Sequence, residues 1–361
     1  MHRSGTATPT VTTELFGTVG ETNVHRYALV NPGGITVRVL DLGGVIQSLD
    51  APDREGVPAN VILGFADLDS YVANNQPDAG RVFLGALIGR YANRIAEAKF
   101  SLDGTEYRVS ANENDNCLHG GVSGFDTHVW QASTFSDEDS VGVRLSHVSP
   151  DGDQGFPGRV TTTVTYRLDT RNRLTIGYHA ETDAPTVLNL TNHAYWNLAG
   201  EGSGDITGHL LTIRADTFCA VDDSLIPQGV PVPVGGTPFD FREPTPIGAR
   251  IDAADPQLRI GHGYDHNWVL DDPAFAARVH DLGSGRTLTV RTTEPGLQFY
   301  SGNFLTDALV GTSGRPYGHR AGFAVEAQHF PDSPNRPDFP STVLRPGETY
   351  TQETVYELSV G

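Results

Sequence analysis

The sequence predicts an all-β fold in which antiparallel sheets stack as a sandwich. The 41 glycines and 23 prolines punctuate the whole chain. Between them lie short runs in which apolar and polar residues alternate, which is the pattern of half-buried strands. Helical periodicity is weak everywhere, and the best candidate helix, residues 67–74, would make about two turns. A sandwich is favoured over a closed barrel because long irregular connections suit sandwich edges.

The individual strand candidates follow from this alternation. Residues 35–40 form the first clear run, and residues 160–168 and 174–180 form two more, joined by a polar turn. Residues 277–282 and 288–292 flank a Gly-Ser-Gly turn and are predicted to form a hairpin. β-branched side chains favour such strands because they are stiff and fit a pleated surface.

The domain organisation is predicted to be simple. The 361 residues exceed the ~250–300 at which one core usually stops growing, which leaves two domains or one large sheet-based domain. The chain shows no internal repeat and no linker, so we predict a single β-sandwich domain over residues 16–361, preceded by a flexible arm at residues 1–15. The arm has no apolar segment, so we predict a cytoplasmic location, with a secreted mature form lacking its leader left open.

The charge balance argues against anionic partners. The net charge is −19, from 44 acidic and 25 basic residues. Such a charge repels phosphate backbones and anionic lipids, so we predict neither nucleic-acid nor membrane binding. Lys99 is the only lysine and follows an alanine, which excludes a phosphate-binding P-loop. Cys117 and Cys219 are too few for a disulfide framework and fit a reducing compartment, with one long-range disulfide left open.

The first segment that stands out is Gly-Arg-Tyr-Ala-Asn-Arg-Ile at residues 89–95. Taken alone, it favours a strand end with solvated arginines. The functional interpretation is a guanidinium fork beside an amide, which suits vicinal hydroxyls or a carboxylate.

The second segment is residues 116–121, in which His119 is followed by two glycines. The glycines predict a tight turn that exposes the imidazole and lets a ligand approach the backbone. A lone histidine is more often structural, so both interpretations stay open at this point.

The third segment, residues 189–198, is the densest in polar and aromatic side chains. Alternation predicts His193 and Tyr195 on one face of a strand and Trp196 on the other. Burying so many amides and rings without partners is costly. A buried structural network could account for them, but the mixture favours a ligand site for the apolar faces and hydroxyl rim of a sugar.

The fourth segment is a pair, residues 263–267 and 324–332. Glu326 lies in an apolar strand just before a loop, where a carboxylate is either paired or functional. Burial would raise its pKa into the working range of a base. Asp265 lies close to Gly263, and in isolation it is better interpreted as a turn former.

Other site patterns are missing from the sequence. His262 and His266 are four residues apart but lie among glycines, and there is no H-E-x-x-H, so we predict no metal site. There is neither a G-x-S-x-G elbow nor a G-x-G-x-x-G opening a helix, so neither a serine hydrolase of that type nor a nicotinamide cofactor is indicated.

These four segments, in this order, resemble the aldose 1-epimerase (galactose mutarotase) family. The resemblance runs from about Ile35 to Leu358 and includes residues 292–300 and 337–348. It implies a galactose mutarotase-like β-supersandwich and an isomerase of carbohydrate metabolism that interconverts the anomers of free aldohexoses such as D-glucose and D-galactose.

The resemblance also implies a role for each matching residue. Glu326 matches the catalytic base, His193 the catalytic acid, and His119 a second histidine that assists at the ring oxygen. The residues that match sugar-binding positions are Asn93, Arg94, Tyr195, Asp265 and Gln298. Opening a hemiacetal ring moves protons and no electrons, so no cofactor is expected.

Two alternatives remain open from the sequence. A non-catalytic carbohydrate-binding protein could use the same aromatic and amide groups but would not need a Glu–His pair. A β-sandwich glycoside hydrolase or lyase normally uses two facing carboxylates, which Glu326 and Asp265 could imitate. The expected partner in every case is a free sugar, and the chain is expected to be a monomer or a homodimer.

Overall fold

The computed structural model describes residues 8–76, 80–272 and 275–361. Over these residues the chain forms 28 strands and two short α-helices, which confirms the predicted all-β class. The first half contains β1 (Thr10–Val19), β2 (Thr22–Val30), β3 (Thr36–Leu40), β4 (Ile46–Pro52), β5 (Pro58–Asn60), α1 (Leu68–Asn74), β6 (Leu87–Ile88), β7 (Arg94–Ile95), β8 (Lys99–Leu102), β9 (Thr105–Arg108), β10 (Cys117–Leu118), β11 (Gln131–Ser136), β12 (Ser140–Ser149), β13 (Val160–Asp169) and β14 (Arg173–Thr182). The second half contains β15 (Thr186–Val187), β16 (Thr191–Asn192), β17 (Tyr195–Trp196), β18 (Leu210–Ile213), β19 (Thr217–Phe218), β20 (Val232–Pro233), β21 (Thr245–Pro246), α2 (Pro256–Gly261), β22 (Asp265–Val269), β23 (Ala277–His280), β24 (Arg286–Thr292), β25 (Gly296–Tyr300), β26 (Phe323–Gln328), β27 (Val343–Leu344) and β28 (Tyr350–Val360).

Three larger sheets organise the molecule. The first has nine strands in the order β11-β12-β13-β14-β28-β24-β23-β18-β21, the second six in the order β17-β26-β25-β22-β19-β20, and the third five in the order β1-β2-β3-β4-β5. Neighbouring strands in them run antiparallel. One hydrophobic cluster contains buried residues of all three sheets, including Val37, Val164, Trp268 and Val325. The sheets therefore pack on a shared core as a sandwich.

The predicted strand pairs are confirmed. In β13, every second residue from Val160 to Leu168 is buried, and the residues between them face outward. β13 pairs with β14 from Val160 opposite Thr182 to Leu168 opposite Leu174. β23 and β24 pair antiparallel around the Gly-Ser-Gly turn, as the alternation predicts.

The prediction of a flexible arm at residues 1–15 is wrong for residues 10–15. Residues 10–15 belong to β1, which pairs with β2 from Thr10 opposite Val30 to Val19 opposite Thr22. β1 is an edge strand with mostly exposed side chains. An edge strand is held by backbone hydrogen bonds and needs little apolar character, so its composition resembles that of an arm. Residues 1–7 lie outside the described residues, and the single domain stays a prediction.

The predicted helix at residues 67–74 is confirmed as α1. The Asp67 side chain caps it by accepting the backbone N–H of Ser70 at 2.8 Å. The second helix, α2, was missed because its six residues are too few to show a period. Its signal is the Asp255-Pro256 pair, an N-cap followed by proline at the first helical position.

Cys117 and Cys219 are both buried free thiols, so the long-range disulfide that the sequence left open does not form. Among the described residues, no helix is long and apolar enough to cross a membrane.

Candidate active site

One face of the six-stranded sheet is polar, although the strands of this sheet are rich in apolar residues. Paired residues on neighbouring strands share a face, and side chains on one strand alternate between faces. The opposite face carries Trp268, Phe299 and Val325 into the core. The register places these cross-strand pairs on the polar face: Tyr195 with Ala324, Gln298 with Glu326, and Asp265 with Tyr300.

Loops and short strands close a cavity over this face. The pairing of β10 with β7 sets Leu118 opposite Arg94, and His119 follows directly. The cavity holds about 200 Å³. Seven of the eight predicted site residues line it, namely Asn93, Arg94, His119, His193, Tyr195, Asp265 and Glu326. Segments that lie more than 200 positions apart in the chain thus meet in one place.

The side chains of His193 and Glu326 lie next to each other in the cavity wall. His193 Nε2 lies 3.5 Å from Glu326 Oε1, and the two side chains are 6% and 2% exposed. The second carboxylate oxygen, Oε2, and the second ring nitrogen, Nδ1, are buried and have no hydrogen-bond partner among the described residues. A buried polar atom without a partner costs about 1–3 kcal/mol. Such a cost is offset when a ligand supplies the missing partners.

Burial shifts the pKa values of this pair in opposite directions. It raises the pKa of Glu326 well above its ordinary range, the charge of Asp265 adds to the rise, and Arg94 opposes it. Burial lowers the pKa of His193 to about 4. Both shifts have one cause, the removal of a charge from water. The carboxylate becomes a stronger base and the imidazolium a stronger acid.

His119 is held in one tautomer by Asn93. The backbone N–H of Asn93 donates to His119 Nδ1 at 3.2 Å, and the backbone N–H of His119 donates to the carbonyl of Asn93 at 3.0 Å. Burial lowers the pKa of His119 well below its ordinary value, and His193, Arg94 and Arg81 add to this. The ring is therefore neutral, its proton lies on Nε2, and that nitrogen is a hydrogen-bond donor.

Arg94 is fixed by a carboxylate that the sequence did not single out. Its Nε and Nη2 donate to the two carboxylate oxygens of Glu113 at 2.6 and 2.7 Å. Burial disfavours the guanidinium charge, but the hydrogen bonds and charge of Glu113 outweigh it, and the Arg94 pKa is raised. The Asn93 side-chain oxygen accepts the backbone N–H of Arg94 at 2.9 Å. A rigid cation thus faces the cavity.

Gln298 stands behind the cavity rather than in its wall. Its Nε2 donates to Asp265 Oδ1 at 2.7 Å, and it is absent from the cavity lining. Asp265 begins strand β22, so it is not the turn former that it resembles in isolation. Burial raises the pKa of Asp265, and Arg94 and Gln298 oppose the rise. Gln298 therefore orients the carboxylate that the cavity presents.

Arg90 fits neither interpretation given to residues 89–95. It is 2% exposed, so it is not a solvated arginine, and it does not line the cavity. Its guanidinium donates to the Ser149 hydroxyl at 2.7 Å and to the carbonyls of Ser149, Pro150 and Pro157. Arg90 anchors a loop, and Asn93 and Arg94 alone supply the polar wall from this segment.

The donor set also bears on metal binding. His119, His193 and Glu326 each offer one ligand atom within 4.8 Å of the others. A metal needs an unprotonated ring nitrogen, but His119 Nδ1 already accepts the Asn93 N–H and Nε2 carries the proton. A ligating histidine also normally donates its other N–H to an acceptor, and His193 Nδ1 has none. These donors fit a metal poorly, and the expected lack of a metal site stays a prediction.

Aromatic residues that the sequence did not single out complete the walls. The Phe83 ring lies 4.8 Å from His119 in an edge-on contact and stacks on His193 at 5.9 Å. Tyr300 and Phe304 line the side of the cavity nearest Asp265 and Tyr195. Phe83 lies in an apolar run that resembles a buried strand, so its position beside two histidines has no local signal.

Comparison with known proteins gives a consistent result. The family profile described as aldose 1-epimerase matches residues 25–357. Galactose mutarotase of Rattus norvegicus is 44% identical over 355 residues, which cover 97% of this chain and 99% of the relative. Aldose 1-epimerase of Escherichia coli (strain K12) is 42% identical over 91% of this chain and 94% of the relative. The solved structure of galactose 1-epimerase from Lactobacillus acidophilus matches with a TM-score of 0.85 at 27% identity, covering 98% of this chain and 99% of the other.

Proposed function

Because the chain belongs to the aldose 1-epimerase family, and is thus an isomerase that interconverts the anomers of aldoses, we propose that it acts on free D-glucose and D-galactose by acid–base ring opening. The observation that carries the mechanism is the approach of His193 Nε2 and Glu326 Oε1 to 3.5 Å inside the cavity. Each residue also has one buried polar atom for which the described part of the chain supplies no partner. A sugar hydroxyl and ring oxygen can satisfy them.

The proposed reaction moves two protons and breaks one bond. The Glu326 carboxylate accepts the proton of the anomeric hydroxyl while the His193 imidazolium donates a proton to the ring oxygen. The C1–O5 bond breaks, and C1 becomes an aldehyde carbon. Rotation about C1–C2 presents the other carbonyl face. The two residues then return the protons in reverse, so they hold one proton between them before and after each step.

The electrostatics of the pair support this division of roles. General acid–base groups work best when their proton affinities are close to those of the reacting groups. Burial raises the Glu326 pKa and lowers that of His193, so proton uptake by the carboxylate and release by the imidazolium are both favourable once the proton lies on His193. In the free cavity the same shifts favour the form that carries the single proton on Glu326. His119, as an Nε2–H donor, assists by hydrogen bonding at the ring oxygen. Each catalytic group would contribute about 10²–10⁴-fold.

The remaining wall residues bind and orient the sugar. Asp265 and Asn93 accept and donate hydrogen bonds to hydroxyls, and the Arg94 guanidinium donates. Tyr195 presents a ring beside His193, at 4.9 Å between centroids, against which an apolar sugar face can pack. Gln298 contributes through Asp265. The lack of any cofactor, nucleic-acid or membrane partner, the monomeric or homodimeric state and the cytoplasmic location stay predictions.

Polarimetry on freshly dissolved α-D-glucose tests the proposed function. We expect the chain to accelerate the approach to anomeric equilibrium, unchanged by a chelator, and to release no reducing sugar from aryl glycosides. A carbohydrate-binding protein would bind glucose without accelerating the change in rotation. A hydrolase using Glu326 and Asp265 would cleave the glycoside, and strong chelator inhibition would indicate a metal site at His119, His193 and Glu326.

We expect D-glucose and D-galactose to be turned over and glucose 6-phosphate to be rejected, with a kcat/KM at least about 100-fold lower. The proposed chemistry touches only C1, O1 and O5, which both hexoses share. The two arginines of the cavity wall, Arg81 and Arg94, are already paired with Asp126 and Glu113. Asp265 and Glu326 line the same cavity and repel a phosphate. The net charge of −19 adds a repulsion that salt screens beyond ~10 Å. Coupled assays on the three sugars measure this, and a preference for the phosphate would contradict it.

The pH profile of kcat/KM is expected to be bell-shaped, because the active pair holds one proton. As pH falls, the pair gains a second proton and the carboxylate can no longer act as a base. The His193 pKa of about 4 places this loss of activity at low pH. As pH rises through the raised pKa of Glu326, the pair loses its only proton. The two limbs belong to the coupled pair. A profile that stays flat from acid to mildly alkaline pH would contradict the assignment.

A further inference from the structure

A buried ion pair lies at the edge of the cavity. Arg81 and Asp126 contact each other through Nη2 and Oδ2, and their side chains are 5% and 0% exposed. Buried ion pairs are weak evidence for stability, because desolvating two charges offsets much of their attraction. Arg81 is thus placed there at a cost, and its remaining contacts indicate a role.

The Arg81 guanidinium has three further contacts. Its Nη1 donates to the carbonyls of Gly121 at 2.8 Å and Val122 at 3.0 Å, in the loop that begins just after His119. Its Cζ lies 4.7 Å above the centroid of the Phe83 ring. The Arg81 side chain thus bonds the loop that follows His119 and packs on the Phe83 ring.

The Phe83 ring transmits this contact to both histidines. It meets the His119 ring edge-on at 4.8 Å and stacks on the His193 ring at 5.9 Å with an interplanar angle of 29°. The turn after Phe83 also bonds the His193 backbone. Gly85 N–H donates to the His193 carbonyl at 3.0 Å, and His193 N–H donates to the Ala86 carbonyl at 2.8 Å.

We propose that Arg81 is a positioning residue that holds the His119 and His193 rings in their reactive geometry through Phe83 and the loop after His119. The Asp126 carboxylate orients the guanidinium. The inference rests on the roles proposed above for the two histidines. The charge of Arg81 has a separate effect, because it is one of the positive groups that, after burial, lower the His119 pKa. The other charged groups lining the cavity are Arg94, Glu113, Asp265 and Glu326.

Two substitutions of Arg81 separate its geometry from its charge. Arg81→Gln removes both the fork and the charge, whereas Arg81→Lys keeps a charge that cannot bind Asp126 and both carbonyls at once. We expect kcat for glucose to fall about 10- to 100-fold in each, with KM changed less than about threefold, since small misplacements of catalytic groups cost up to about 100-fold. Phe83→Leu, which keeps the charge, should lower kcat to a similar extent.

A matched control is Arg286→Gln. Arg286 is also a buried arginine, 3% exposed, and it donates to the carbonyls of Ala51, Val57 and Leu198 away from the cavity. This variant is expected to lose stability and keep kcat. If Arg81 were merely structural, Arg81→Gln would behave in the same way.

An NMR titration of carbon-13-labelled histidine gives a second readout, measured on variants whose circular dichroism spectrum matches that of the wild type, because loss of burial would itself raise the His119 pKa. We expect Arg81→Gln to raise the pKa of His119, because a nearby positive charge is lost. Asp126→Asn should lower it, because Arg81 is left uncompensated, and Arg81→Lys and Phe83→Leu should leave it close to that of the wild type. If the His119 pKa moved in the same direction in Arg81→Gln and Asp126→Asn, the proposed effect of the Arg81 charge on His119 would be contradicted.

The kinetic outcomes distinguish this inference from the function on which it rests. Wild-type kcat in Arg81→Gln would overturn the positioning role of Arg81 while leaving the Glu326–His193 mechanism intact. A fully active His193→Asn variant would instead overturn the mechanism itself. If Arg81→Gln does not fold, Arg81→Lys decides the role of Arg81, because it keeps the charge and loses the contact geometry.

Discussion

Replacing Glu326 with glutamine is expected to lower the kcat of mutarotation by about 10²–10⁴-fold, the range of one general acid–base group. The amide keeps the shape of the side chain but cannot accept the anomeric proton. Burial already disfavours the Glu326 charge by raising its pKa, so the neutral amide should not lower the free energy of unfolding. Polarimetry gives the rate, and calorimetric titration with galactose shows that the sugar still binds.

A second buried glutamate provides the control. Glu294 is 3% exposed and contacts His329 Nδ1 at 2.6 Å, so it repeats the Glu–His pairing outside the cavity lining. Glu294→Gln should keep the wild-type kcat. If Glu326→Gln kept more than about a tenth of the rate, which is above the range for a general base, Glu326 would not be the base.

Replacing His193 with asparagine is expected to cause a loss of similar size, about 10²–10⁴-fold in kcat. Asparagine can fill part of the volume and donate a hydrogen bond, but it cannot deliver a proton to the ring oxygen. Ring opening would then have to expel an unprotonated alkoxide. Stopped-flow polarimetry on α-D-glucose measures the loss, and His329→Asn, whose ring pairs with Glu294, is the matched control.

An unchanged rate in His193→Asn would shift the acid role to another group. His119 is the nearest candidate, since its ring lies 5.2 Å from that of His193. The Asn93 hydrogen bond to its Nδ1 makes it a neutral donor, so we expect it to be unable to replace His193.

The fold was predictable because its signal is local. Alternation in segments such as residues 160–168 depends on neighbours along the chain, and the structure forms strands there. β1 was missed because an edge strand is held by backbone hydrogen bonds that side-chain composition does not report. The same limit applies to α2, whose single turn and a half has no period to detect.

The residues that meet in the cavity could be picked out where polar side chains interrupt apolar strands, as Glu326 does, and their roles stay predictions. The residues that support them could not be picked out in this way. Glu113 lies in a polar loop in which nothing distinguishes it from Asp115, and its pairing with Arg94 arises from the fold. Phe83 resembles an ordinary core residue, and the opposite fates of Arg90 and Arg94 depend on which loops pack against them. Contacts of this kind are made by tertiary structure, and no local pattern encodes them.

The central claim is that Glu326 and His193 share one proton and act together in the same proton-transfer step. A double-mutant cycle tests it most directly, with kcat for α-D-glucose measured by polarimetry for wild type, Glu326→Gln, His193→Asn and the double variant. Groups that act in the same step are strongly non-additive, because losing either one stops the shared transfer. We expect the double variant to be no slower than the slower single variant, within about threefold. Losses that multiply, so that the double variant is slower by the product of the two single effects, would contradict the account.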